Sequence, residues 1–397
     1  MLSQAVFLVG GLGTRLKDRT RATPKPLLDV GGRTFLDYLL DEAARHGFTE
    51  ILLLAGHFGQ QVADLYEGRD WRGARIKVLC EPEPLGTGGA LRFALPHLED
   101  QFLLANGDSF FDINLRSLAP PEGGVAMALR NVVGDRYGRV KFQQGRVLSF
   151  HAPEEAVDGP INGGIYVLSR AVVEAIPQGK VSLEGEMFPG LAAQGRIHGQ
   201  IFDSYFIDIG VPDDFERAQV ELPRRTRRPA VFFDRDGVLN RDIGYLHRPE
   251  EVEWLEGAKN AVRLCNDAGY FVFVVTNQAG VARGFYGEED VHRLHAWMNA
   301  ELADQGAHVD AFEYCPHHPE GVEGPYRRSC RRRKPEPGML EDLLSAWPVD
   351  KDNSFLIGNM QSDLDAAAGA GLKAHLYQDG DLADFVAARL VSRQAAT

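Results

Sequence analysis

The sequence predicts an α/β protein made of two domains in tandem, each built on a largely parallel sheet. Short apolar runs alternate along the chain with segments whose apolar residues recur at helical spacing, which is typical of sheets covered by helices. A single polar stretch, rich in arginine and proline, interrupts this alternation in the middle of the chain. The length of 397 residues also exceeds what one hydrophobic core ordinarily supports, which agrees with two domains.

The boundary between the domains is predicted at residues 223–228, where Pro223 and Pro229 bracket four arginines. This run has no apolar periodicity, so we expect a solvated linker rather than a nucleic-acid-binding patch. The two domains then cover residues 1–222 and 229–397, and both have ordinary domain sizes.

Particular elements follow from the apolar pattern. Buried strands are predicted over residues 5–9, 51–55 and 102–105 of the first domain and over residues 271–275 and 354–357 of the second. Helices are predicted where Leu36, Leu39, Leu40 and Ala43 recur and over residues 291–302. Ligands of such sheets bind at the carboxyl ends of the strands, so the residues that follow each strand are the candidates for chemistry.

Composition excludes several classes of protein. The chain is 44% apolar and 25% charged, with a formal net charge of -13, so nucleic acid is not expected as a partner. No run of eighteen or more apolar residues occurs, so no membrane span is expected. The four cysteines do not form a disulfide framework in so long a chain. The first residues enter a strand without a basic, apolar leader, and we therefore expect a cytoplasmic protein.

A glycine-rich loop follows the first predicted strand. It contains Gly10, Gly11, Gly13 and Thr14 and continues into Arg15. Such a loop lets the backbone approach a polyphosphate closely, and an arginine fork suits phosphate oxygens. The spacing is that of neither a P-loop nor a dinucleotide-binding fingerprint, so alone it does not identify the ligand.

Further motifs in the first domain extend this pattern. Lys25 lies between two prolines, Gly86, Thr87 and Gly88 form a second glycine loop, and Asp108 follows a buried strand. With Asp208 they form a set that resembles the sugar-1-phosphate nucleotidyltransferase family over residues 1–222. The segments 81–89 and 106–112 most closely resemble the heptose 1-phosphate guanylyltransferases.

This resemblance implies attack of a sugar phosphate oxygen on the α-phosphorus of a nucleoside triphosphate, with pyrophosphate leaving. By this resemblance, Arg15 and Lys25 bind the phosphates, and Asp108 and Asp208 bind Mg²⁺. The resemblance also places Gly86, Thr87 and Gly88 at the base and Asn162, Gly163 and Glu184 at the sugar. For Asp108 and Glu184, plain structural or solvated roles are the alternatives.

In the second domain, a predicted strand leads directly into Asp234 and Asp236. Two carboxylates at this spacing suit a nucleophile and an acid/base that face one site. Thr276 and Asn277 follow the next strand, and Arg333 and Lys334 come later. The set resembles the haloacid dehalogenase superfamily. The resemblance implies an aspartyl-phosphate on Asp234, proton transfer by Asp236, phosphate binding by the Thr276 segment and Arg333, and charge neutralisation by Lys334.

Three further residues point to a subfamily and to a second metal. Cys315, His317 and Cys330 resemble the zinc loop of the heptose bisphosphate phosphatases and their relatives, the histidinol phosphatases, but Arg332 stands where the fourth ligand is expected. Structural zinc ordinarily has four ligands. His318, another side chain or water completes the site, or the loop is free of metal, and the sequence leaves these alternatives open.

The Mg²⁺ site of the second domain departs from the family pattern. The resemblance places Asp234, Asp236, Asn359 and Asp363 around the ion, with Asn359 where an aspartate is expected. An amide oxygen is a neutral ligand, so weaker Mg²⁺ binding follows unless Asp363 or Asp365 compensates.

Together the resemblances imply one enzyme with two activities, acting on heptose phosphates and GTP on the way to GDP-heptose. The sequence also allows a nucleotidyltransferase for another sugar or nucleotide, whose second domain is a structural or interaction module. It does not determine an oligomeric state.

Overall fold

The computed structural model describes residues 2–11, 16, 19–132, 137–152, 155, 158–322 and 324–391. The chain divides into two compact units, of which one spans Leu2–Arg224 and the other begins at Arg225. Among the described residues, none of the helices has the length and apolar character that would let it cross a membrane.

The first unit contains six α-helices and fourteen strands within its described residues. The helices are α1 (Phe35–Arg45), α2 (Gly59–Tyr66), α3 (Gly86–Ala94), α4 (Arg170–Glu174), α5 (Phe188–Ala193) and α6 (Pro212–Arg225). The strands are β1 (Gln4–Leu8), β2 (Asp29–Val30), β3 (Arg33–Thr34), β4 (Glu50–Ala55), β5 (Asp70–Trp71), β6 (Ala74–Cys80), β7 (Gln101–Asn106), β8 (Ser109–Phe111), β9 (Val125–Arg130), β10 (Arg139–Gln143), β11 (Arg146–His151), β12 (Ile161–Ser169), β13 (Ile197–Ile201) and β14 (Phe206–Asp208).

Ten of these strands form one mixed sheet in the order β10-β11-β13-β9-β12-β7-β1-β4-β6-β5. The run β7-β1-β4-β6 is parallel, as expected for an α/β sheet. Beyond it, β12 pairs antiparallel with both β7 and β9. The expectation of a largely parallel sheet therefore holds for the half that carries the first loop. The other half is mainly antiparallel, because its strands follow one another without a helical crossover between most of them.

The first sheet is buried on both faces. Along β1, Ala5 and Phe7 belong to one apolar cluster and Val6 belongs to the cluster on the opposite face. This alternation explains why the strand is apolar throughout rather than every second residue. Helix α1 begins with a capping box, in which the Thr34 hydroxyl accepts from the Asp37 amide and the Asp37 carboxylate accepts from the Thr34 amide, both at 3.2 Å.

A separate two-stranded ribbon brings distant parts of the first unit together. Strands β8 and β14 pair antiparallel, with Asp208 opposite Ser109. The Ile209 amide donates to the Asp108 carbonyl at 2.9 Å. The ribbon therefore places Asp208 beside Asp108, although a hundred residues separate them in sequence.

The predicted linker, residues 223–228, is partly helical. Helix α6 continues through Pro223 to Arg225, with Leu222 buried beneath it. The expectation of solvated arginines is wrong for Arg228, which is 1% exposed. Its amide donates to the Pro348 carbonyl at 3.0 Å, and its guanidinium carbon lies 6.0 Å from the centre of the Phe271 ring. Arg228 thus belongs to the core of the second unit, because its backbone pairs with residues 348–350 of that unit.

The second unit contains six α-helices and five strands in the part of the chain that is described. The strands are β15 (Ala230–Phe233), β16 (Phe271–Asn277), β17 (Ala311–Cys315), β18 (Phe355–Gly358) and β19 (Lys373–Leu376). The helices are α7 (Ala258–Asp267), α8 (Ala279–Ala282), α9 (Glu288–Ala303), α10 (Gly338–Ala346), α11 (Gln361–Gly369) and α12 (Leu382–Ala387).

The five strands of the second unit form a wholly parallel sheet in the order β17-β16-β15-β18-β19. In β15, Val231 and Phe233 face one apolar cluster while Ala230 and Phe232 face the other. Because all five strands run in one direction, the residues that follow β15, β16, β17 and β18 meet at the same edge. The α/β class and the predicted core strands are confirmed in both units.

Two candidate active sites

The first site is a cavity of about 360 Å³ at the carboxyl edge of the parallel strands of the first unit. Its walls include the residues after β1, β6 and β7 and the start of α3. The predicted residues that line it are Gly10, Gly11, Lys25, Gly86, Thr87, Asp108 and Glu184. Gly13, Thr14 and Arg15 lie outside the described residues.

An ion pair joins two of the predicted residues in this cavity. The Lys25 Nζ lies 2.7 Å from the Asp108 Oδ2, with the lysine mostly buried and the aspartate about one third exposed. Asp208 lies at the end of β14 next to Asp108, and its Oδ1 accepts from the Gly210 amide at 2.7 Å. Lys25 and Asp108 line the cavity wall, whereas Asp208 lies beside them and does not line it. An ammonium group and a carboxylate on one wall suit the binding of a phosphate or an ion.

The glycines of the second loop pack closely against another segment of backbone. Gly86 has a φ of +72°, and a side chain there would lie 2.6 Å from the Val181 carbonyl oxygen. The Gly88 amide donates to that same oxygen at 2.9 Å. Gly88 faces Val181 and is not part of the cavity wall, whereas Gly86 and Thr87 are. Glycine at 86 thus lets α3 begin directly against the 179–181 segment.

Thr87 connects the glycine loop to Glu184. The Thr87 hydroxyl donates to the Glu184 Oε2 at 2.9 Å and accepts from the Leu183 amide at 2.9 Å. Glu184 is therefore held with its carboxylate at the cavity rather than free in solvent, which weighs against a purely solvated role.

Two predicted sugar contacts are turned into the fold. The Asn162 amide donates to the Tyr166 hydroxyl at 2.7 Å, and its Oδ1 accepts from the Gly164 amide at 3.0 Å. Gly163 packs against the Phe111 ring. Neither residue lines the cavity wall. Their backbone forms the irregular step in β12, between Asn162 and Tyr166. The neighbouring Gly164 packs against Asn106, which lines the cavity.

Sequence reasoning missed two charged residues of this cavity, Glu81 and Lys180. The Glu81 Oε2 accepts from the Leu85 amide at 3.0 Å, and burial raises the pKa of its carboxyl. Glu81 directly follows β6 at the active edge of the sheet, so its position was a usable signal. Lys180 is exposed and follows no strand, so the sequence contains no comparable signal for it.

The second site is a cavity of about 390 Å³ at the carboxyl edge of the sheet of the second unit. The predicted residues that line it are Asp234, Asp236, Thr276, Asn277, Lys334, Asn359 and Asp363. Asp242, Tyr245, Gln278 and Tyr286, which the sequence analysis did not select, also line it.

A buried lysine sits between two carboxylates at the base of this cavity. The Lys334 Nζ lies 2.8 Å from the Asp234 Oδ1 and 2.6 Å from the Asp363 Oδ1, and it donates to the Val275 carbonyl at 2.9 Å. Burial opposes the charge, but the two carboxylates raise the pKa of Lys334 above its ordinary value. Burial, with Asp363 nearby, raises the pKa of Asp234 to about 6 despite the opposing effect of Lys334.

Asp236 is held by donors on several sides. The Arg235 Nη2 lies 2.9 Å from its Oδ2, the Asn240 amide donates to its Oδ1 at 3.0 Å, and the Gln278 amide donates to its Oδ2 at 3.2 Å. Arg235 is fully buried, and its Nη1 lies 3.3 Å from the His295 Nε2. The orientation of the second carboxylate is therefore determined by a buried arginine that the sequence does not mark as special.

The strand-end segment after β16 positions the lysine rather than only lining the cavity. The Asn277 side-chain Nδ2 donates to the Lys334 backbone carbonyl at 3.0 Å, and the Asn277 Oδ1 accepts from the Lys334 backbone amide at 3.0 Å. The Thr276 hydroxyl accepts from the Gln278 amide at 2.9 Å. Asn277 thus couples the Lys334 loop to the central sheet.

Asn359 and Arg333 differ in how they meet the cavity. The Asn359 Oδ1 is buried and has no hydrogen-bond partner among the described residues, although its side chain lines the cavity. Gly237 has a φ of +82° and leaves space for the Asn359 amide, since any side chain there would overlap it. Arg333 does not line the cavity wall, and its Nη1 donates to the His317 carbonyl at 3.2 Å.

The predicted zinc residues also come together. One ligand atom from each of Cys315, His317 and Cys330 lies within 4.8 Å of the other two. Cys315 ends β17 and is buried, while the other two residues are half-buried. Two thiols and an imidazole form a donor set that suits zinc.

Comparisons with known proteins agree with this geometry. The nucleotidyl transferase family model matches residues 4–225, and the HAD-hydrolase-like model matches residues 331–391. The second unit is 48% identical over 170 residues to the D-glycero-beta-D-manno-heptose-1,7-bisphosphate 7-phosphatase of Rhodopseudomonas palustris, covering 43% of this chain and 94% of that protein. The chain belongs to the nucleotidyl transferase family and, through its second unit, to the HAD phosphatases. HAD phosphatases use Mg²⁺.

The first unit likewise covers almost the whole length of its relatives. It is 36% identical over 215 residues to the D-glycero-alpha-D-manno-heptose 1-phosphate guanylyltransferase of Campylobacter jejuni, covering 53% of this chain and 96% of that protein. The crystal structure of HddC from Yersinia pseudotuberculosis is 30% identical, with a TM-score of 0.50, and covers 56% of this chain and 100% of that chain.

Proposed function

We propose that this chain is a bifunctional enzyme that removes the 7-phosphate of a D-glycero-D-manno-heptose 1,7-bisphosphate and then joins the resulting heptose 1-phosphate to GMP from GTP. The observation that carries the proposal is that each unit has a cavity lined by candidate catalytic residues and covers almost the whole of a relative named for one of these steps. Removal of the 7-phosphate from the bisphosphate leaves the substrate of the guanylyltransferase.

In the first site, a phosphate oxygen of the heptose 1-phosphate attacks the α-phosphorus of GTP, and the bond from that phosphorus to the departing pyrophosphate breaks. Lys25, with its Nζ at the cavity, binds the phosphates, and Arg15 is assigned the same task. Gly10 and Gly11 line the cavity, and their backbone amides donate to phosphate oxygens. Gly86 and Thr87 border the base, with Gly88 supporting them from behind, and Glu184 accepts from sugar hydroxyls. Asn162 and Gly163 act indirectly, through Gly164, which packs against Asn106 of the cavity wall.

In the second site, the Asp234 carboxylate attacks the phosphorus of the 7-phosphate, and the bond to the sugar oxygen breaks. Asp236 donates a proton to that oxygen, then takes a proton from the water that attacks the aspartyl-phosphate, which releases phosphate and restores Asp234. Lys334 lies against Asp234 and neutralises the charge that collects there. Thr276, Asn277 and Arg333 contribute to phosphate and substrate binding, Asn277 through its hold on the Lys334 loop.

Each site contains residues that fit Mg²⁺. Asp108 and Asp208 would hold the ion in the first unit, and Asp234, Asp236, Asn359 and Asp363 in the second. The orphaned Asn359 Oδ1 supports the second assignment, because a buried oxygen without a donor needs a partner. Mg²⁺, when bound, supplies positive charge that offsets the negative charge of the reacting phosphate. Cys315, His317 and Cys330 would hold Zn²⁺ apart from the chemistry.

The decisive experiment supplies the substrates separately to the intact chain. The relatives differ in the anomer they are named for, beta for the phosphatase and alpha for the guanylyltransferase, so both anomers of the 1,7-bisphosphate are tested for phosphate release with Mg²⁺ and without GTP. Both anomers of heptose 1-phosphate are then tested with GTP for pyrophosphate release. We expect one anomer to serve both steps.

A second candidate function rests on Asn359, whose neutral side chain stands in the proposed Mg²⁺ site. In that case the second unit is inactive or acts on another substrate. Pyrophosphate release with no phosphate release from either bisphosphate would favour this alternative. Pyrophosphate release with other nucleotides or hexose 1-phosphates, in preference to GTP and heptose, would overturn the substrate assignment instead.

A further inference from the structure

The Cys315, His317 and Cys330 cluster offers a metal three protein ligands. The three donor atoms lie within 4.8 Å of one another, and no fourth histidine, cysteine or carboxylate joins them in the described part of the chain. His318, the nearest alternative in sequence, uses its Nδ1 to accept from the Glu320 amide at 3.1 Å. A tetrahedral ion bound here has one position that the described residues do not fill.

Arg332 turns away from this position. Its guanidinium pairs with the Glu313 carboxylate on β17, and its Nε lies 3.4 Å from the Asp342 Oδ2 on α10. Only the backbone of Arg332 meets the cluster, where its amide donates to the Cys330 Sγ at 3.4 Å. The arginine therefore ties the loop to a strand and a helix instead of ligating a metal.

Other contacts hold this loop without any metal. Arg331 pairs with Asp342, and the Glu288 carboxylate at the start of α9 accepts from the Tyr314 and Tyr326 hydroxyls. The His318 amide donates to the Tyr326 carbonyl at 3.1 Å. These bonds connect the loop to β17, α9 and α10. A loop fixed in this way does not depend on a metal for its conformation, unlike small domains that unfold when zinc is removed.

The cluster is also accessible from one side. Cys315 is fully buried, whereas His317 and Cys330 are half-buried, so solvent reaches part of the cluster. Metal sites with three protein ligands keep a fourth position for water or another small ligand, while four-ligand sites are closed.

We propose that this chain binds zinc through three residues at an open site, whose fourth position accepts a small monodentate ligand from solution, such as azide or a thiol. The inference rests on the zinc binding proposed above. The metal at this site is consequently exchangeable, and its removal leaves the second unit folded.

The test replaces zinc by Co²⁺ in the full chain and records the visible d–d absorption before and after azide is added. We expect the wild-type spectrum to change with azide. Arg332→Cys adds a thiolate beside the open position and should make the spectrum insensitive to azide. It should also slow zinc transfer to a chelator by about tenfold or more, as expected when a site gains a ligand. Arg331→Cys adds a thiol to the same loop outside the donor set and should behave as the wild type.

Three results would overturn the inference in different ways. Failure of the wild type to bind Co²⁺ or Zn²⁺ removes the zinc proposal itself. Metal binding with a spectrum that ignores azide shows a closed site. An azide response that appears only in Glu323→Gln shows that Glu323, which lies outside the described residues, completes the site. Circular dichroism of the metal-free protein checks that the unit remains folded, and this readout does not depend on either activity.

Discussion

The two active sites lie at the same edge of an α/β sheet but handle charge in opposite ways. In the first unit, Lys25 and Asp108 form an ion pair that stays partly open, with the aspartate side chain 36% exposed. In the second unit, Lys334 and Asp363 are 3% and 1% exposed, and Asp234 is nearly as buried. The charged residues of the first site are partly solvated, whereas those of the second site form a buried network.

This difference follows from the chemistry assigned to each site. Nucleotidyl transfer between two bound substrates requires that anions be positioned, and partly solvated cations serve this purpose while the substrates themselves exclude water. A phosphatase that forms a covalent intermediate must present its own carboxylate as nucleophile, and a dry, fixed environment keeps that group oriented. The charged residues are thus more deeply buried in the site where the protein supplies the nucleophile than in the site where both reacting groups belong to the substrates.

The largest expected effect separates the two sites completely. Asp234→Asn removes the nucleophile, so phosphate release from the heptose bisphosphate should fall on the order of 10³-fold or more. Pyrophosphate release from GTP and heptose 1-phosphate should not change, because the first unit is untouched. The control is Asp304→Asn, which alters an exposed carboxylate just after α9 of the same unit, away from the cavity. Equal phosphatase rates in the two variants would refute the assignment of Asp234.

A variant of Lys25 tests the first site in the same way. Lys25→Met removes the ammonium group at the first cavity, and nucleotidyl transfer should fall about 10²-fold, since one preorganised cation at a reacting phosphate contributes on that scale. Phosphate release should remain at the wild-type rate. Lys141→Met, at an exposed lysine of the same unit, is the matched control. A loss of both activities in Lys25→Met would mean that the units are not independent.

A smaller effect is expected from restoring a charge to the buried site. Asn359→Asp supplies a carboxylate at the orphaned oxygen, so the Mg²⁺ concentration that gives half-maximal phosphate release should fall about tenfold. Asn260→Asp, on the exposed side of α7, adds the same charge away from the cavity and should leave the Mg²⁺ dependence as it is. Identical Mg²⁺ curves for the two variants would show that Asn359 does not face the ion.

The smallest effect concerns the histidine behind the buried network. Burial lowers the pKa of His295 well below its ordinary value, and the nearby charge of Arg235 lowers it further. In the unfolded chain His295 becomes protonated near pH 6.5, whereas in the folded unit it stays neutral at that pH. The free energy of unfolding should therefore fall as the pH drops below about 6.5, by at most about 1.4 kcal/mol per pH unit.

His295→Gln should remove most of this pH dependence. The measurement is denaturant unfolding between pH 7 and pH 5, followed by tryptophan fluorescence, since Trp254, Trp297 and Trp347 all lie in the second unit. If the wild type and the variant lose stability equally with acid, His295 is not the group responsible.

Much of both sites could be predicted because their residues directly follow buried strands. Asp108, Asp234, Asn277 and Asn359 each stand at or just beyond a strand end, so the sheet edge brings them together whatever the loops do. The mixed order of the first sheet could not be predicted, since a buried strand has the same apolar pattern whether its neighbours are parallel or antiparallel.

The remaining errors involve charged side chains whose partners are distant in sequence. Nothing in the sequence distinguishes Arg228 from its exposed neighbours, because residues 348–350, with which it pairs, lie far away in the sequence. Arg235 gave no sign of full burial, since its partners Leu246 and His295 come from other segments. Gly88 and Asn162 are a different case: they occur in recognisable motifs but do not line the cavity, and their role at the substrate stays a prediction.

The β8–β14 ribbon bears on the order in which the protein matures during synthesis. Asp108 is made early, but its partner Asp208 joins it only when β14 has left the ribosome, just before α6 closes the first unit. Every described residue of the first cavity precedes Arg225, so this catalytic centre can assemble while the second unit is still being translated. We therefore expect a nascent chain to be competent for nucleotidyl transfer once α6 has left the ribosome.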